Sequence, residues 1–269
     1  MHWFAPRVPS VRSLFLAALV LLPWGLAPGA RADDAPKWLN PVKGSSTSGR
    51  FVSHLSAGFS GGSNPSGASS QAWNAQADTL RSTDTESFRA DAAWFYSTAG
   101  NNDSRSSAQF HAMQDWRPWR ESGWLLFARA ETQHDTQRTW NWRVGAYGGA
   151  GYTLLDDEKW EVVGRGGLGG RYDFGDANTF TPEAVLGGSA IGWKIAKNQK
   201  VVGEGLAYKS LDDADAWRFS GKAEWQIRLS DEQKTMLKIG VRDQYESQRP
   251  AGQKGHDLQY YVGIGVELP

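Results

Sequence analysis

The chain has 269 residues, with 31 Gly, 14 Trp and no Cys, and its 29 basic and 29 acidic side chains balance to zero net charge. The missing cysteines exclude disulfide scaffolds, thiolate zinc sites and cysteine nucleophiles. Zero net charge leaves no field to draw the chain to nucleic acid, and so many aromatics are foreign to a disordered chain.

Residues 1–32 read as a secretory signal peptide. Arg7 and Arg12 form a positive start, Leu14 to Leu22 an apolar run, and Ala30 and Ala32 the small residues expected around a cleavage site before Asp33. The apolar run stops at Pro23, short of the ~18–20 residues that a membrane anchor needs. Cleavage would remove three arginines and no acid, so the exported remainder is slightly acidic. Residues 33–49, with two prolines and a Ser/Gly-rich end, read as a flexible lead-in, and residues 50–269 as one β domain.

From Phe51 the hydrophobic period is two and stays two. Phe88, Ala90, Ala92, Trp94 and Tyr96 alternate with Arg89 and Asp91; Trp142, Val144 and Ala146 with Arg143 and Gly145. Later, Trp217, Phe219, Ala223, Trp225, Ile227 and Leu229 alternate with wholly polar residues, and Leu258 to Leu268 repeats the pattern. About twelve strands result, near 51–59, 70–81, 85–97, 105–116, 123–133, 138–153, 159–172, 179–195, 200–210, 216–229, 234–246 and 256–268. The strands near 180–210 are the least regular, since Val201, Val202, Leu206 and Ala207 do not alternate cleanly. Soluble strands average about 5–6 residues, whereas these have the length of strands tilted across a bilayer. Short polar links such as Ser230-Asp-Glu-Gln predict one end with tight turns. Longer Gly- and Asn-rich segments (60–69, 98–104, 247–255) predict longer loops at the other.

The pattern predicts an all-β, antiparallel up-and-down transmembrane barrel, its apolar faces toward lipid and its polar faces toward a lumen. Trp116, Trp124, Trp140, Trp142, Tyr152, Trp160 and Trp217 lie at or near strand ends and are expected in an outer aromatic girdle. The lumen is expected to hold the charges Arg89, Asp91, Arg129, Glu131, Arg143, Glu161, Arg165, Lys222, Glu224, Arg228 and Arg242. Gln109, His111, Asp115, Arg171, Lys238, Gln244, Asp257, Gln259 and Glu267 are expected beside them. Long side chains of both signs in a narrow barrel should pair and close it. Inward glycines, Gly145, Gly149, Gly151, Gly167, Gly169, Gly263 and Gly265, are expected where curvature is tight or large neighbours need room.

Three motifs imitate chemistry. Gly164 to Gly169 spells a dinucleotide-binding fingerprint but lies within an alternating strand with no helix after it. Asp156-Asp157-Glu158 and Asp212-Asp213-Ala-Asp215 are acidic turns without calcium-loop spacing. His111 sits on a polar face, and no G-x-S-x-G nucleophile motif accompanies it. No cofactor, metal or catalytic group is implied.

The stretch from Trp142 through the Gly151-Tyr152 strand end, the acidic turn and Val162 to Asp173 resembles the YdiY-like salt-induced outer-membrane proteins, the DUF481 family. Leu55 to Leu80 and Trp217 to Tyr245 fit the same family, so the resemblance covers about residues 50–268. It implies an exported outer-membrane barrel with a role in envelope stress, handled during biogenesis by the barrel-assembly machinery, and it supplies no catalytic residues. The ending Glu267-Leu268-Pro269 departs from the terminal aromatic usual in such barrels. The sequence therefore predicts a non-enzymatic, monomeric barrel in the outer membrane, structural or with a narrow, occluded passage. A secreted soluble barrel binding a small ligand is the alternative, and an outer-membrane lipid hydrolase a more distant one.

Overall fold

The computed structural model describes Gly49 and residues 51–63, 69–99, 103–119, 122–157, 159–175, 178–193, 198–248 and 255–268. The signal peptide expected over 1–32, with Ala30 and Ala32, and the lead-in up to residue 48 lie outside these described residues.

Twelve antiparallel strands form one closed barrel in which every strand pairs with its sequence neighbours and the first with the last. They are β1 (Phe51–Ser63), β2 (Ser69–Ser82), β3 (Glu86–Ala99), β4 (Asp103–Trp116), β5 (Trp124–Asp135) and β6 (Trp140–Asp156). The chain continues through β7 (Trp160–Gly175), β8 (Thr179–Trp193), β9 (Gln199–Ser210), β10 (Trp217–Ser230), β11 (Thr235–Glu246) and β12 (His256–Leu268). Closure satisfies the backbone hydrogen bonds that an open sheet edge would leave unpaired. Strands of 12–17 residues at ~3.4 Å per residue and a tilt of ~45° rise roughly 29 Å or more, enough for an apolar band ~25 Å tall.

Alternation decides which side chains turn outward. Leu168, Leu186, Phe180, Val262 and Ile264 are all exposed on the outer face, Leu186 by 70%. An apolar surface of this extent has no place against water. Aromatic contacts gather towards both ends: Trp124 with Tyr152 and Phe51 with Phe88 near the end where the strands β1 and β12 begin and finish (the lower end). Phe59 with Trp73 and Trp217 with Tyr245 lie towards the other (the upper end).

The expected contrast in loop lengths is not observed. Lower links span 3–7 residues and upper links 3–9, because β1 to β4 run on into segments that looked like loops. Ser60 to Ser63 keep their pairing with Tyr261 to Leu258 despite two glycines, since closure gives them partners on both sides. The lower link between β4 and β5 turns through Gly123 at φ 73°, a left-handed conformation that glycine adopts without strain.

Candidate functional site in the barrel lumen

Period two on β5 places Leu125, Phe127, Arg129, Glu131, Gln133 and Asp135 on the inner face, all buried. The same arithmetic on the other strands buries Arg143, Glu161, Arg165, Glu224, Arg228 and Arg242 inside the barrel. Arg89, Asp91 and Lys222 share that face and are half-buried. Burying so many charges is tolerable only where each finds a counter-charge and hydrogen bonds.

The partners lie on distant strands. Near the upper end, Arg105 on β4 binds Asp135 on β5 and Asp257 on β12, each at 2.5 Å. Arg138, in the β5–β6 link, approaches the same two carboxylates at 3.4 Å. Arg143 on β6 grips Asp173 on β7 with two hydrogen bonds of 2.6 and 2.8 Å and also binds Glu246 on β11. Also in the upper half, Arg218 on β10 donates to Glu131 on β5 at 2.5 Å and to Glu183 on β8 at 3.1 Å. Its guanidinium lies 3.5 Å from the centre of the Tyr208 ring. Tyr208 donates to Glu131 at 2.8 Å and Tyr147 to Glu183 at 2.7 Å. Arg129 on β5 reaches Glu204 on β9 at 2.6 Å.

Lower down, Arg165 on β7 binds Asp115 on β4 at 2.7 Å and Ser189 on β8 at 3.0 Å. Lys238 on β11 pairs with Asp78 on β2, and Arg228 on β10 with Glu267 on β12. Pairs such as Arg218–Glu131 and Arg143–Glu246 join strands five steps apart around a twelve-stranded ring, close to its diameter. They run through the lumen rather than along its wall.

Between the charges runs a continuous apolar cluster: Leu125, Phe127, Tyr147, Val163, Val185, Leu206 and Tyr208. Sequence reasoning missed it, because apolar residues in an alternating strand read as outward-facing. The inward glycines were the available signal. A Cβ added at Gly149 or Gly167 would lie 2.9 or 3.0 Å from the Phe127 ring, and one at Gly169 2.6 Å from Tyr147.

Arg105, Asp135, Glu183 and Glu204 were also not among the expected lumen charges. Arg105 borders a loop-like Asn/Asp/Ser segment, and Glu204 follows the broken alternation at Val201 and Val202.

Of the expected girdle residues, Trp116, Trp124, Trp142 and Tyr152 are exposed and Trp160 and Trp217 half-buried. Trp140 is a correction. It is only 8% exposed, inside the barrel, with the Arg143 guanidinium 4.3 Å over its ring. The β6–β7 register shifts between Trp140 and Trp142, so the extra residue Asn141 reverses the face on which Trp140 falls.

His111 lies in the lumen, its Nδ1 3.2 Å from Asp91. The fingerprint Gly164 to Gly169 lies inside β7 and opens no helix. Among the described residues, no group of His, Asp and Glu side chains is arranged to hold a metal ion. What this arrangement does is bind strand to strand across the barrel.

The sequence profile of the family described as "Protein of unknown function, DUF481" matches residues 57–268. Curated proteins give no match. Among solved structures, the NanC porin aligns with a TM-score of 0.50 at 10% identity, over 81% of this chain and 100% of the porin. An outer membrane channel from Pseudomonas putida F1 aligns at 0.48 and 12% identity, over 91% of this chain and 100% of the channel. At such identity the likeness to the NanC porin is one of fold: a single-chain β-barrel. The chain belongs to the DUF481 family.

Proposed function

We propose that this DUF481 member is a non-enzymatic barrel of the outer membrane, exported by its N-terminal segment, whose lumen is held shut by ion pairs. One observation carries the reading: inward charges of opposite sign meet across the lumen at hydrogen-bond distance, Arg218 with Glu131 and Arg129 with Glu204 above all. The apolar outer face supports lipid as its surroundings. Trp116, Trp124, Trp142, Tyr152, Trp160 and Trp217 would serve as interfacial anchors. In this reading the mature chain inserts as a monomer with the barrel-assembly machinery and serves the envelope as a stable wall.

A narrow passage is the second reading, and a specific observation favours it. Asp78, Asp91, Glu204 and Lys222 keep 24–29% of their side-chain surface accessible although they point inward. Solvent can therefore reach these side chains, which stand on β2, β3, β9 and β10.

Membrane fractionation tests the main reading. The protein should sediment with outer membranes, need detergent for extraction and migrate differently on gels before and after heating. A monomer that stays soluble without detergent would replace this reading with the ligand-binding soluble barrel. Lipid hydrolysis lost on His111→Ala would make it an enzyme instead.

A further inference from the structure

The upper mouth contains a cavity of about 180 Å³ whose lining includes Arg138, Arg143, Arg171 and Arg218 and the acids Asp173, Glu183 and Glu246. Three of the four cations are hydrogen-bonded to counter-charges: Arg143 to Asp173 and Glu246, Arg138 to Asp135 and Asp257 at 3.4 Å, and Arg218 to Glu131 and Glu183. Arg171 is not. Its Nε is buried and makes no hydrogen bond, and the nearest carboxylate oxygens, on Glu183 and Asp173, stand 3.5 and 3.8 Å away.

Both carboxylates are already held by stronger donors. Asp173 accepts two bonds from Arg143, and Glu183 accepts from Arg218 and Tyr147. With Asp135, Asp257 and Glu131 behind the lining, six carboxylates meet these four guanidiniums, and Arg171 is set apart by having no hydrogen-bonded counter-charge rather than by an excess of cations.

A guanidinium in this state is matched best by an incoming carboxylate, whose two oxygens fit its fork of donors. The cavity has room for several water molecules yet falls below the ~300–1,000 Å³ of pockets for drug-sized ligands. Its occupant is therefore small. Thr139, Ser210 and Gln248 add polar groups to the lining, which suit an occupant carrying hydroxyls.

We propose that the upper mouth binds a small hydroxylated monocarboxylate, about a sugar-acid monomer in size, with Arg171 as its ion-pair partner. This goes beyond the closed-lumen reading: Arg143, Glu246 and Arg218 of the crossing pairs wall the cavity, and Arg171 belongs to neither pair.

Ligand-observed NMR on the full chain in detergent tests the site, with glucuronate as probe, glucose as its neutral counterpart and inorganic phosphate as a competing anion. Glucuronate should bind, and glucose at least about tenfold more weakly. Arg171→Gln should weaken glucuronate by about tenfold or more, and Arg171→Lys should restore part of it. Lys234→Gln, at the exposed lower end, should leave binding unchanged. Heat-modifiable migration of each variant verifies the barrel. Binding of glucose as tight as glucuronate, full affinity in folded Arg171→Gln, or equal displacement by phosphate would each overturn the proposal.

Discussion

The two sides of the barrel wall fill one lumen by different chemistry. From β5 to β9 the inner face carries an apolar cluster around Phe127, Tyr147 and Tyr208, and glycines of β6 and β7 make the space for it. From β10 round to β4 the inner face carries His54, Asp78, Asp91, Lys222, Glu224, Lys238 and Arg242. The first side packs these apolar groups as the core of a soluble protein does, beside ion pairs of its own such as Arg129 with Glu204 and Arg143 with Asp173. The second offers charges whose burial is favourable only with partners: Asp78 and Asp91 are met by Lys238 and Arg242 of the same side, and Arg218 reaches Glu131 on the other. The lesson is that glycine and charge are complementary devices: glycine lets one wall thicken inward, and the ion pairs tie the other wall to it.

Breaking the tie should have the largest effect. Arg218→Ala leaves Glu131 and Glu183 buried without their main cation, and the expected loss is about 3–5 kcal/mol in urea unfolding from lipid vesicles. A loss below about 1 kcal/mol would mean that the walls stand independently.

Next in size is a charge on the outside of the packed wall. Leu186→Arg, on the outer face of β8, should cost about 2–4 kcal/mol if lipid surrounds it. No change in stability or insertion would place that face in water.

The glycine side of the comparison is sharpened by a matched pair. At Gly149 a methyl would meet the Gly166 carbonyl oxygen at 2.2 Å and Phe127 at 2.9 Å, so Gly149→Ala should destabilise by about 1–3 kcal/mol. At Gly203, with nothing closer than 3.9 Å, the same change should stay within about 0.5 kcal/mol. Equal effects would show that the glycines of β6 are not making room for the aromatic cluster. The smallest effect belongs to the lower rim, where Arg81 and Glu86 pair at 3.0 Å with about a third of each side chain exposed. Arg81→Ala should cost about 0–1 kcal/mol and lose even that in high salt.

Strand number, boundaries and facing were legible in the sequence because a period of two needs no knowledge of partners. Arg129 and Glu131, for example, fall on one face of β5 by counting alone. Their partners were not legible. Which strand faces β5 across the lumen depends on the stagger of all twelve strands, and that is a property of closure rather than of any segment. Leu125-Leu126-Phe127 is a continuous apolar run, so counting could not say that its first and third residues face inward. Trp140 was misplaced for a third reason, since one extra residue in β6 inverts the alternation before it and leaves no mark in the composition.

The central claim is that crossing ion pairs close the lumen, and ion conductance in planar bilayers measures it directly. The protein reconstituted alone should show no large steady conductance, and Glu131→Gln combined with Arg218→Gln should raise it while the barrel stays folded. A large, ohmic conductance from the unaltered chain would contradict the account.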